Sequence, residues 1–270
     1  METVKALSDG GVGSLPAFFP AWPRAWAGLV FAHLGRFTEA IAHAEDAMGI
    51  AESAGHPHTA IEAHGALAGV RLEQGDLTGA LRGFENAMEL LRRRHVGDPN
   101  IFSGFGYACA LSGRVADGLS LMEASVVGEA SISAMGLGLA VRLSRLAEAY
   151  LIAGRTDEAA ERARSAVDLA RKHKERANEA LALRVLADIT ARGDRSDAEA
   201  AALPQYEASL ALARELGMRP LIAHLHSRLG RLYGGGGNRE QAAEHVGAAA
   251  AMYRELGMLG WLERLDQPRS

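Results

Sequence analysis

The residues most suggestive of chemistry are the four consecutive glycines at 234–237, a composition that lets a backbone wrap a phosphate. A nucleotide-binding loop of that kind ends in Gly-Lys-Ser/Thr, because the lysine and hydroxyl must reach the phosphates and their metal; Asn238, Arg239 and Glu240 follow here. The run therefore reads as a turn between helices. Ten histidines raise the question of a metal, and the nearest pairs are His56 with His58 and His224 with His226. Residues two apart on a helix point away from each other, and two loop ligands alone make a weak site, so neither pair reads as a metal centre. Cys109, the single cysteine, lies in an apolar helical stretch and reads as a core residue. There is no His-Glu-x-x-His helix, no Gly-x-Ser-x-Gly elbow and no dinucleotide fingerprint. The sequence predicts no catalytic residues, no metal and no cofactor.

The chain has 270 residues, 48% of them apolar and 23% charged, which is enough for a continuous core. Aromatics reach only 6%, and a core of Ala, Leu, Gly and Val suits closely packed helices better than sheets. A formal charge of −4 argues against a nucleic-acid partner, which needs a concentrated basic surface. The densest positive run, Arg92, Arg93, Arg94 and His95, falls at an expected helix end, where cations meet the negative end of the dipole. One cysteine excludes an internal disulfide framework and fits a cytoplasmic location. Residues 1–13 lack the apolar stretch of a secretory signal, and Pro16, Pro20 and Pro23 break the apolar run that follows, so neither export nor a membrane partner is expected.

The elements that must position any site follow from a repeat. A turn-forming glycine recurs at Gly35, Gly75, Gly113, Gly154, Gly193 and Gly237, at spacings of 40, 38, 41, 39 and 44 residues. Five residues after it come Ala40, Ala80, Gly118, Ala159 and Ala242; seven before it come Gly28, Ala68, Gly106, Ala147 and Gly230. All are small, so two antiparallel helices can approach closely at these positions. In the fifth unit, residues 193–197 form a turn four residues longer than its siblings, since Glu215-Leu216-Gly217-Met218 matches Glu255-Leu256-Gly257-Met258 at a spacing of 40. One such hairpin cannot bury its own apolar face, and stacking neighbours does so. The expectation is an all-α, right-handed solenoid of about six hairpins, 21–54, 58–94, 99–133, 137–173, 175–216 and 220–257, each touching mainly its neighbours. Residues 1–20 are expected as a linker or the remnant of a preceding unit, and 258–270 as a capping segment with Trp261 as its lid.

The small residues around the turn, with Tyr150 and Tyr233 four residues before it, resemble the tetratricopeptide repeat, in a long variety whose units are nearer 40 residues than 34. The phrases LARELGMRPLIAHLHSRLGRLY (212–233) and AAAAMYRELGMLGWLERL (248–265) are similar to repeat regions at the C-terminus of bacterial proteins that join a class III cyclase to an AAA-type ATPase. They are similar also to the regions that follow the ATPase of maltose-regulator-like activators. The resemblance implies that the first helix of each pair lines a concave groove. Asn100, Tyr107, Arg145, Glu148, Arg184, His224, Arg228 and Arg231 are then the candidate partner-binding residues. Arg145, Arg184 and Arg228 each stand nine residues before a turn glycine, either as a ladder of guanidiniums for carboxylates and phosphates or as partners of Glu148, Glu179 and their neighbours. The functional expectation is a non-catalytic scaffold for a protein or peptide, of the kind found in bacterial signalling ATPases and cyclases. A small-molecule-sensing repeat domain and self-association through the solenoid's ends are the rival readings.

Overall fold

The computed structural model describes residues 15–265 except residue 56, residues 128–137 and residues 194–197, with side chains from residue 21 onward. Thirteen helices and no strand occur among the described residues. They are α1 (Leu15–His33), α2 (Phe37–Ala54), α3 (Pro57–Gln74), α4 (Leu77–Arg94), α5 (Pro99–Leu111), α6 (Val115–Val126) and α7 (Leu139–Ile152), followed by α8 (Thr156–His173), α9 (Arg176–Thr190), α10 (Ala198–Glu215), α11 (Arg219–Gly235), α12 (Arg239–Glu255) and the short α13 (Leu259–Leu265). Successive odd and even helices pair as six hairpins. The expected N-terminal linker overlaps α1, which begins at Leu15; its first fourteen residues, the C-terminal residues 266–270 and His56 lie outside the described residues.

The turns repeat because their chemistry repeats. Gly35, Gly75, Gly113, Gly154 and Gly237 all have φ between 77° and 93°, a left-handed conformation that costs glycine little. In each, the following residue's N–H reaches back to a carbonyl five residues earlier, as in Asp76 N to Arg71 O at 2.9 Å and Arg155 N to Tyr150 O at 2.9 Å, which closes the helix end. Asp76 Oδ1 then accepts from the Gly79 N–H at 2.9 Å and starts α4. Asp98 does the same for α5, accepting from the N–H groups of Asn100 and Ile101, with Pro99 in the first turn. Between turns the small residues are in direct register: a Cβ on Gly106 would lie 2.7 Å from the Gly118 carbonyl oxygen.

The two helices of a hairpin have different surroundings. The even helices bury one stripe, as in α8, where Ala159, Ala163, Ala166, Val167 and Ala170 are buried and the rest faces water. The odd helices are enclosed nearly all round; α7 buries Arg142, Ser144 and Glu148 along with its apolar residues. Each odd helix touches the next odd helix, from α1 through α3, α5, α7 and α9 to α11, and α11 touches α1. The solenoid is therefore closed, and the expectation of contacts mainly between neighbours is corrected at its two ends.

Closure is made by the last hairpin and α13 seated on the first two hairpins. Ala32, Phe37, Ala40 and Val70 share one apolar cluster with Ala223, Ala249, Tyr253, Leu256 and Met258. Trp261 donates its indole N–H to the Glu73 carbonyl at 3.1 Å and packs on the turn at Gly75, where a Cβ would stand 2.7 Å from its ring. Gly260 rests on the Gly75 carbonyl so closely that no side chain fits there. Turn glycines thus serve twice, once for backbone conformation and once as bare surface against which the other end of the chain seats.

Candidate binding channel

Enclosure by six odd helices creates a central channel, and many of the side chains that reach it lie at offsets nine, six or two residues before a turn glycine. These offsets share one helical face. At nine stand Arg145, Arg184 and Arg228, at six Tyr107, Glu148 and Arg231, and at two His33, Glu73, Leu111 and Ile152, all of which line the channel.

The middle of the channel is a buried ionic network. Glu148, only 6% exposed, accepts from Arg184 Nη2 at 2.7 Å and from the Tyr107 hydroxyl at 2.9 Å, with Arg228 Nη2 at 3.6 Å. Asp188 accepts from Arg184 Nη1 at 3.1 Å, from Arg228 Nε at 3.0 Å and from the Tyr206 hydroxyl at 2.6 Å. Two carboxylates and two guanidiniums thus neutralise one another. Burial opposes ionisation of Glu148, but Arg184 and Arg228 outweigh it and hold its carboxyl well below the usual carboxylate range. Burial and the adjacent carboxylate Glu148 together push the Tyr107 hydroxyl far up, so it remains a donor.

Beside this network the channel narrows to a chamber of about 80 Å³. Glu73 faces His33 Nδ1 at 3.7 Å; burial works against its charge, and His33, His224 and Arg145 bring its carboxyl down to about 2. His224 meets the Tyr253 hydroxyl through Nδ1 at 2.8 Å and the edge of Trp261, and burial lowers it to about 4, leaving it neutral at pH 7. Arg145 stands over the Tyr107 ring, its Cζ 5.9 Å from the centroid, and burial lowers its pKa. Toward the other opening the channel widens to a mouth of about 460 Å³, lined by Arg192, Arg228, Arg231 and Arg264 with Leu111, Ile152, Tyr253 and Trp261. A side chamber of about 200 Å³, with Asp188, Glu199 and Tyr206 in its wall, adjoins it.

The candidates read from the sequence divide accordingly. Tyr107, Arg145, Glu148, Arg184, His224, Arg228 and Arg231 all line the channel. Asn100 does not line these chambers; its Oδ1 accepts from Arg142 Nη1 at 2.8 Å at the start of α5. Of the two readings of the arginines, Arg184 and Arg228 take the paired one, with Glu148 and Asp188, while Glu179 pairs instead with Arg171 at 2.7 Å. Sequence reasoning missed Glu73 and His33, though the offset of two residues before the turn marks both. It missed Asp188, whose clue is its place one helical turn after Arg184. Trp261 and Arg264 join the lining only because the ring closes, and no repeat position announces that. Among the described residues no three His, Cys, Asp or Glu side chains gather to hold a metal ion, and no helix is long and apolar enough to cross a membrane. Cys109 is buried and its Sγ accepts from Arg114 Nη2 at 2.9 Å.

This architecture defines a tetratricopeptide-like helical-repeat protein. No protein-family model and no curated protein matches the sequence. Solved structures do match. The quorum sensor NprR bound to its cognate peptide NprX is similar over 98% of this chain and 75% of its own, with a TM-score of 0.68 and 11% identity. BtubC (BKLC) from P. vanneervenii is similar over 89% and 95%, with a TM-score of 0.53 and 17% identity. The Cut9–Hcn1 hetero-tetramer of APC/C matches over 98% of this chain and 46% of its own, with a TM-score of 0.53 and 14% identity. At such identities the likeness is one of fold.

Proposed function

We propose that the chain is a non-catalytic scaffold that holds a protein or peptide segment at the mouth of its channel. The observation that supports this reading is the mouth itself, a chamber of about 460 Å³ where polar and aromatic side chains from α7, α11, α12 and α13 meet Arg192, just past the end of α9. Binding sites gather where rigid elements present a few polar groups around an apolar wall. The fold likeness to NprR, solved with a peptide, supports a peptide as occupant. The similarity of residues 212–233 and 248–265 to bacterial cyclase–ATPase repeat regions supports a regulatory role in a cytoplasmic signalling protein of that type, with 21–257 as the solenoid, 258–270 as its cap and 1–20 as a linker or remnant of a preceding unit. The groove residues given above are proposed as its contacts, with Asn100 outside the chambers.

A photo-crosslinking residue at Ile152, in the mouth wall, tests the reading in cells of the source organism. The expected result is one specific protein or peptide adduct that disappears when Leu111→Arg obstructs the chamber. Absence of any adduct, or an adduct indifferent to the obstruction, refutes it.

The chamber's size also supports the rival reading, a small-molecule sensor, because sites for compact ligands occupy about 300–1,000 Å³. A thermal-shift screen of metabolites in which one compound raises the melting temperature would favour it. Self-association through the solenoid's ends has less to draw on, since those ends cover one another.

A further inference from the structure

We infer that the channel mouth is a polyanion site: Arg192, Arg231 and Arg264 together hold a compact ligand carrying two or more carboxylate or phosphate groups. This deepens the reading of the mouth as a binding surface and rests on it.

Charge balance is the first ground. Deeper in the channel Glu148 and Asp188 are matched by Arg184 and Arg228. The three outer arginines have no carboxylate within ion-pair distance among the described residues, and the hydrogen bond each donates goes to a neutral carbonyl. Arg192 Nη1 donates to Leu151 O at 3.2 Å, Arg231 Nη2 to Arg264 O at 3.4 Å and Arg264 Nη2 to Leu111 O at 3.3 Å. A guanidinium offers five N–H donors, so each retains most of its capacity. Glu199 shares the side chamber with Arg192 and Arg231 without pairing with either.

Geometry is the second ground. Arg192 follows α9, Arg231 lies on α11 and Arg264 on α13, so three segments far apart in sequence converge on one chamber. Burial lowers the pKa of Arg231 and the like charge of Arg228 lowers it further, together outweighing the pull of Asp188, which is taken up by Arg184 and Arg228. Trp261 lies beneath the Arg264 guanidinium, with Cζ 5.3 Å from the ring centroid, which fixes the orientation of that donor before any ligand arrives. Planar guanidiniums grip carboxylate and phosphate oxygens two at a time, so three of them around one space favour a ligand with several oxyanions. Because Arg264 belongs to the closing helix, such a ligand also ties that helix to α11.

Calorimetric titration of the full chain with inorganic pyrophosphate, with citrate and with tetraglutamate at low ionic strength separates phosphate, small carboxylate and peptide carboxylate as sources. The expected result is saturable binding of at least one probe that weakens as salt is raised. Arg192→Gln, Arg231→Gln and Arg264→Gln should each weaken it about tenfold, and Arg93→Gln on the outer surface should not. In a Trp22→Phe/Trp26→Phe background the remaining indole, Trp261, reports binding by fluorescence. No binding of any probe, or binding that survives the triple substitution, overturns the inference. Should Arg264→Gln loosen the closing helix, Arg192→Gln decides alone, because Arg192 is exposed and its hydrogen bond goes to a carbonyl; an unchanged affinity there is also fatal. Loss of the Ile152 adduct with polyanion binding intact would sink the segment-holding reading only, and the reverse outcome would sink only this one.

Discussion

Truncating Trp261 to alanine should open the ring without touching the repeat units. A fully buried tryptophan lost to alanine costs about 3–5 kcal/mol. Trp261 is partly exposed, so about half of that, roughly 2 kcal/mol, is the packing loss. Its indole N–H bond to the Glu73 carbonyl adds about 1 kcal/mol. A total near 3 kcal/mol corresponds to a fall in Tm of about 6–12 °C for a chain of this size. The distribution of the loss is more telling than its size. Closure makes α1 and α11 each other's neighbours although they lie near opposite ends of the described chain, so amide exchange should accelerate in both. Hydrogen-exchange mass spectrometry with thermal unfolding checks this, and Trp261→Phe, which keeps a ring beside His224, should lose about 1 kcal/mol through the hydrogen bond. An unchanged Tm, or faster exchange confined to α13, would refute the account of a closed solenoid.

Other outcomes follow from the channel and the hairpins. Glu148→Ala leaves Arg184 and Arg228 short of an anion in a buried site and should cost about 3–5 kcal/mol by urea denaturation, whereas Tyr107→Phe should cost about 1 kcal/mol. His224 is lowered to about 4 on folding, so the unfolded chain binds the extra proton; stability should fall as pH drops from the ordinary histidine value near 6.5 toward 4, and His224→Gln should flatten that part of the profile. Glu62 behaves oppositely: burial and the adjacent Asp98 raise its carboxyl to about 7, so its ionisation costs stability as pH rises from the ordinary carboxylate range to 7, and Glu62→Gln should stabilise the protein in urea at pH 8. Gly118→Val drives a branched side chain against the Gly106 backbone and should cost at least about 2 kcal/mol, measured in the same way.

What the sequence discloses and what it withholds divide along the reach of the interactions. Gly75 and Gly113 mark turns because φ near 93° penalises other residues, and that penalty is local. Gly28, Ala40, Gly106 and Gly118 mark the hairpins because two backbones meet there, again within one unit. Ring closure is another matter. It arises from the sum of small rotations between hairpins, and no single residue encodes that sum. Hence Trp261 reads as a lid over an open end, while the folded chain uses it as a seal between two ends. The channel shows the same division: Arg184 and Arg228 are visible at their offset, but whether they are free or paired depends on Asp188 and Glu148 approaching from different helices.

The join between Gly260 and Gly75 has a bearing on how such a chain can evolve. Open helical arrays lengthen and shorten by duplicating or deleting a unit, since any unit can end on any other. Here one added hairpin would swing α13 past its seat and leave the indole of Trp261 facing water, and one deletion would stop it short. Unit number is thus locked by the meeting of the two ends.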